Sequence, residues 1–163
     1  MDKTAKIKVL TEPHQLLHQK CEPVTNVEEA KQIADDLLIV VKSLTKWWNR
    51  FVGFAANQIG YSRRAIVLRR GKSKYEVMIN PVFVEKKFPF PYLENCFSVR
   101  GLYLVKRYLW SKVKYQDIEG NPQEIIFKGF AGVYQEIDHI DGILVSDIGL
   151  LVYRSKPLKT PYN

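Results

Sequence analysis

The chain reads as an α+β fold, with mixed antiparallel strands packed around one short central helix, and three observations predict it. Segment 26–48 carries apolar residues at helical spacing. The middle of the chain instead offers short β-branched and aromatic runs between Gly, Pro and Asn turns. A second, shorter helical segment follows near the C-terminus. With 163 residues, 46% of them hydrophobic and 26% charged, the chain has the size and composition of one soluble globular domain spanning 1–163.

The elements follow in order. Ile7 to Leu10 predicts a short strand, and Pro13 to Lys20 a helical turn. His14 and His18 stand four apart, but no carboxylate or thiol joins them at useful spacing, so they read as exposed histidines. The long helix starts at Asn26, an N-cap residue with Glu29 three positions on. Its stripe of Val27, Ala30, Ile33, Ala34, Leu37, Leu38, Val41, Leu44 and Trp48 is one buried face, so it is core. A small-residue stretch, 53–60, leads into a strand over 64–68. A charged turn at 71–73 feeds a strand over 75–79, which Asn80-Pro81 stops. Further strands are expected at 82–87 and 101–107, and a hairpin joins 113–118 to 124–127. The second helix covers 130–140, between Gly129 and Gly142. Pro157 and Pro161 argue against a long C-terminal helix.

Composition narrows the function classes. No stretch approaches eighteen apolar residues, so no membrane-spanning helix is expected. The first eight residues lack the apolar core of a secretory signal, which makes the cytoplasm the default location. Two cysteines, Cys21 and Cys96, do not suggest a disulfide framework. The net charge of +8 invites an anionic partner, such as a ribosome contact. The basic residues are spread out, however, and no DNA-binding motif accompanies them.

The chemistry concentrates in Gln135-Glu136-Ile137-Asp138-His139. In the general form H-E-x-x-H, two imidazoles four residues apart face one metal on a helix, and the Glu activates a water. Glu136 and His139 fill their places, whereas the first ligand position holds Gln135. Such a site needs a further ligand, distant in sequence, and Cys96 in Glu94-Asn95-Cys96-Phe97-Ser98 is the candidate.

Three segments together resemble the peptide deformylases. Glu94 to Ser98 is similar to their E-G-C-L-S. Gly53-Phe54-Ala55-Ala56-Asn57-Gln58-Ile59-Gly60 is similar to G-L-A-A-x-Q-x-G. Gln135 to His139 with Ile140-Asp141-Gly142 is similar to H-E-x-D-H-L-x-G. Order and spacing agree over nearly the whole chain. The resemblance implies removal of the formyl group from N-terminal formyl-methionine of nascent polypeptides by a divalent metal, typically Fe2+, with Zn2+ or Ni2+ as other occupants. It makes Cys96 and His139 metal ligands and Gln135 the occupant of the third ligand position. It makes Glu136 the general base that passes a proton to the leaving amine. The Gln58 amide and the Phe97 backbone N–H would hold the oxyanion. Gly53 would offer backbone contacts to an extended substrate, with Val52 near the methionine pocket. Arg107 would pair with Glu94 or Asp138 in support of the ligands.

The chain departs from that family pattern at Phe51 and Asn95, both glycine in the family, and at Gln135. A carboxamide is a weaker transition-metal ligand than imidazole. A working metallohydrolase and a non-hydrolytic relative that binds peptide or another partner both follow as hypotheses. So does a metal-free thiol hydrolase using Cys96 and His139.

Overall fold

The computed structural model describes residues 7–47, 53–72, 74–129 and 132–154. Trp48, Phe51, Val52, Phe130 and the two tail prolines lie outside the described residues. Helix α1 spans Val27–Trp47, and strand β1, Gly53–Ala55, runs into a 3-10 turn, Ala56–Ile59. Strands β2 (Ala65–Arg69), β3 (Tyr75–Asn95), β4 (Leu102–Gln116) and β5 (Pro122–Lys128) follow, then α2 (Gly132–Ile140), α3 (Val145–Ile148) and β6 (Leu150–Tyr153). All pairings between these strands are antiparallel, in the order β1-β2-β3-β4-β5, with β6 on β4.

β2 explains how the sheet holds its helices. All of Ala65 to Leu68 are buried. Ala65 and Val67 join the core under α1, with Ile33, Leu37 and Val41, while Ile66 and Leu68 join the core under α2, with Val133, Ile137 and Ile140. Alternate side chains of a strand point to opposite faces, so an unbroken apolar run is what a strand between two helices requires. Burying each of the Val, Ile and Leu side chains stabilises the fold by about 1.5 to 3 kcal/mol.

Helix α1 begins as its sequence demands: Asn26 Oδ1 accepts from the N–H groups of Glu28 (2.8 Å) and Glu29 (3.1 Å). The Glu29 carboxylate does not close a capping box. It takes the Arg63 Nε–H at 2.6 Å, because a charged partner outbids a backbone amide. Val27, counted on the buried face, is 39% exposed at the first turn.

The larger differences lie in the sheet. Residues 7–10 form no strand, although Leu10 N–H donates to the Gln58 carbonyl at 2.7 Å. Asn80-Pro81 does not stop β3 but marks a shift of register between Ile79 and Val82, with Asn80 at φ 52°. The Asn80 side-chain amide ties this irregularity to the segment before α1, accepting from Val24 N–H (2.9 Å) and donating to Val24 C=O (2.8 Å). β3 then continues to Asn95. Pro89 and Pro91 share one side of the strand, the side that no described strand pairs. The segments expected separately at 101–107 and 113–118 are one strand, β4, ending at Gln116. α3 and β6 were not foreseen, and no helix among the described residues is long and apolar enough to cross a membrane.

Candidate active site

Helix α2 carries the motif inward because Val133, Ile137 and Ile140 recur at helical spacing and pack beneath β2, β4 and β5. That face turns Glu136 and His139 into the interior with them, 3% and 1% exposed. The C-terminal end of α2 is fixed three ways. Gly142, at φ 75°, donates to the His139 carbonyl at 3.0 Å, and a Cβ there would lie 2.8 Å from Gln19 C. Arg64 holds Asp141 Oδ1 at 2.5 Å. The Asn57 amide, buried, donates to the His139 carbonyl at 2.6 Å.

The end of β3 delivers the sulfur. Cys96 Sγ lies 3.1 Å from His139 Nε2, and the Ser98 N–H points to the same sulfur at 3.4 Å. At thiolate and imidazole bond lengths of about 2.3 and 2.05 Å, two donors on one ion lie about 3.1 Å apart at a right angle and about 3.6 Å apart at the tetrahedral angle, so the pair sits at the near end of that range. Among the described residues, no group of three His, Cys, Asp or Glu side chains completes a metal cluster. The third side chain is Gln135, whose Nε2 donates to the Asn95 carbonyl (3.1 Å) and to Glu94 Oε2 (3.3 Å).

Glu136 lies on the same helix with Oε2 buried and unpartnered among the described residues, as is His139 Nδ1. An orphaned buried carboxylate oxygen costs free energy unless a water or cation completes it. Burial, reinforced by the Glu94 and Asp138 charges, holds the Glu136 carboxyl well above the ordinary carboxylate range. Burial also lowers His139 to about 4, with the Arg107 charge adding to the effect, and raises the Cys96 thiol.

The surrounding bonds fix these groups. Arg107, 4% exposed, donates twice to Glu94 (both 2.7 Å) and once to Asp138 Oδ2 (2.7 Å), so it pairs with both acids named in the sequence, not one. Burial raises the Asp138 carboxyl although Arg107 opposes the shift. Gln58 accepts from Ala55 N–H at 2.9 Å and donates to Ser98 Oγ at 3.0 Å, which leaves one amide hydrogen. Phe97 packs edge-on against Phe54, centroids 6.0 Å apart. Gly53 opens the edge strand β1 against Glu136, and Val52 lies outside the described residues.

Cys96, His139, Gln135, Glu136, Gln58, Phe97, Glu94, Asp138, Arg107 and Gly53 thus belong to one connected region built from β1, the β3–β4 junction and α2. Sequence reasoning passed over Asn57 and Ser98, which anchor the His139 turn and the Gln58 amide. Their signal was present, since polar residues inside small-residue or Cys-centred motifs must find partners when buried.

The chain is similar to known proteins over nearly all of its length. The sequence profile of the polypeptide deformylase family matches residues 6–149. A peptide deformylase of Wolinella succinogenes is 35% identical over 159 residues, covering 91% of each chain. The crystal structure of a peptide deformylase from Legionella pneumophila superposes with a TM-score of 0.76 at 31% identity, over 87% of this chain and 85% of that one. A Met-Ala-Ser-bound class I type b peptide deformylase from Acinetobacter baumannii gives 0.75 at 28%, over 86% and 97%. With the family matched across most of its length and the site in one place, the chain belongs to the polypeptide deformylase family, a family of metal-dependent hydrolases.

Proposed function

We propose that this chain removes the formyl group from the N-terminal formyl-methionine of nascent polypeptides, with Cys96 and His139 holding a divalent ion and Glu136 moving the proton. The single observation that carries the reading is the 3.1 Å approach of Cys96 Sγ to His139 Nε2, on the helix that also presents buried Glu136. Identity of 35% over 91% of both chains favours this hydrolase over the non-hydrolytic peptide binder. Fe2+ is the ion of choice, with Zn2+ and Ni2+ as substitutes, because a thiolate–imidazole pair suits all three. When bound, the ion supplies the Lewis acidity that polarises the formyl carbonyl and makes water acidic.

The chain's own residues do the rest. Glu136, kept basic enough to hold a proton by its burial, takes one from the attacking water and returns it to the leaving amine. The remaining amide hydrogen of Gln58, oriented by Ser98 and Ala55, and the Phe97 N–H stabilise the oxyanion. Among the described residues β1 is an edge strand, and an extended peptide pairs with it at Gly53. Met-Ala-Ser, the tripeptide bound by the Acinetobacter relative, has the size this edge would accept. Arg107 holds Glu94 and Asp138 so that Cys96 and His139 keep their orientation. Nascent chains place the protein in the cytoplasm, where the net charge of +8, with exposed Lys86, Lys87, Lys106 and Lys114, supports a transient ribosome contact.

Formate release from formyl-Met-Ala-Ser, abolished by a chelator and restored by Fe2+, tests the reading. Turnover that survives complete metal removal contradicts it.

A further inference from the structure

The Gln135 side chain carries information that its neighbours make readable. A carboxamide has one donor end and one acceptor end, and the neighbours decide which end faces which way. Gln135 faces two groups, the Asn95 backbone carbonyl at 3.1 Å and Glu94 Oε2 at 3.3 Å. Neither can donate. A backbone carbonyl only accepts, and Glu94 is paired through both oxygens with the Arg107 guanidinium, each at 2.7 Å. The end of Gln135 that meets them is therefore its NH2, and both amide hydrogens are committed there. No hydrogen bond among the described residues ends on Gln135 Oε1, and this oxygen is not sealed in the interior. It sits one helical turn before His139, on a side chain tied to the residue that precedes Cys96.

We infer that Glu94 and the Asn95 carbonyl hold the Gln135 carboxamide by its nitrogen, so that Oε1 is the third donor of a sulfur–nitrogen–oxygen ion site whose preference is shifted from Zn2+ toward Mn2+ and Fe2+. The inference rests on the reading of Cys96 and His139 as metal ligands. Amide oxygen is a harder and weaker donor than imidazole. Relative to an imidazole at the same position, it sacrifices most for Zn2+ and Ni2+ and least for Mn2+. Glu94 is then a positioning residue: it acts on the ion by orienting Gln135, in addition to pairing with Arg107.

Affinities of the metal-free full chain for Mn2+, Co2+ and Zn2+, measured by competition with a chromogenic chelator in the absence of oxygen, test this. Gln135→Leu removes the oxygen and is expected to weaken all three ions by roughly tenfold or more. Gln135→His is expected to tighten Zn2+ by roughly tenfold while Mn2+ changes by less than about threefold. Equal affinity of the Leu variant and the native chain, or an equal gain for every ion in the His variant, overturns the inference.

Orientation is tested by Glu94→Gln, which can offer its own NH2 and frees the Gln135 amide to turn over. Its loss of affinity is expected to be roughly tenfold beside Gln135 and to shrink toward none beside Gln135→His, since imidazole needs no amide to be oriented. The same loss in both backgrounds marks Glu94 as merely structural and removes it from the proposal. Should Glu94→Gln fail to fold, the selectivity change between native chain and Gln135→His still decides the donor claim. The ion affinities do not depend on turnover, so absence of formate release with the expected affinities would sink the deformylase reading alone.

Discussion

Gly53 stands where any side chain would strike Glu136. A Cβ built on Gly53 lies 2.8 Å from Glu136 Cγ, and it also meets Leu68 Cδ2 and the Val67 carbonyl at 2.9 Å. The glycine thus lets β1 close onto the carboxylate that we propose moves the proton. Of the three contacts, one is backbone and cannot give way. Gly53→Ala is expected to cost about 1 to 3 kcal/mol of stability through overpacking. It should lower kcat more than it raises KM, because Glu136 is displaced. Urea denaturation with steady-state formate release checks both, and an unchanged kcat would show that Glu136 does not depend on this approach.

Glu136→Gln separates function from stability. The native carboxylate is buried with Oε2 unpartnered, and its pKa is pushed well above the ordinary range. Because the folded state prefers this group protonated, ionising it costs stability increasingly as pH rises above the unfolded value of 4.5. The amide variant removes that cost and should stabilise the metal-free protein at pH 7 by about 1 to 3 kcal/mol. Turnover should fall by roughly a hundredfold to ten-thousandfold. Thermal unfolding of the two metal-free proteins, compared with their formate release, reads both effects.

His139 imposes the opposite pH dependence on the metal-free chain. Its folded pKa of about 4 lies below the ordinary 6.5, so the unfolded chain binds the extra proton between those values. Stability from this residue is present above pH 6.5 and is lost as pH falls toward 4, by roughly 3 kcal/mol in full. The difference in stability between native chain and His139→Asn should therefore shrink from pH 7 to 4.5 in urea titrations. A constant difference would mean that the imidazole is not held neutral by burial.

Arg107→Leu should be among the most disruptive single changes. It strips three bonds at 2.7 Å from Glu94 and Asp138, leaving the buried Glu94 carboxylate without its cation. A loss of about 3 to 5 kcal/mol is expected. Arg107→Lys should lose less, keeping the charge without the planar fork. Equal destabilisation by both variants would mean that the charge contributes nothing.

Much of this was legible in the sequence because local physics dictated it. The α1 stripe, the Asn26 cap and the turn before β5 follow from periodicity and side-chain chemistry within a few residues. The Asn80-Pro81 break was misread because the side-chain bonds that hold Asn80 in the strand reach Val24, 56 positions away. The full length of β3 was hidden for a similar reason: its prolines are tolerated only because that side of the strand is unpaired among the described residues. At the site, motif spacing named the residues that the fold gathers. It could not show that Arg107 reaches two acids at once, or that the acceptors beside Gln135 select the donor end of its amide. Those depend on how β3, β4 and α2 meet.

In the proposed reaction, hydrolysis depends on an ion held by Cys96 and His139. Metal content and formate release, measured side by side on native chain and Cys96→Ala prepared without oxygen, test it most directly. Close to one divalent ion per native chain, with turnover, is expected, and the loss of both in the variant. A variant that keeps its ion and its turnover would contradict it.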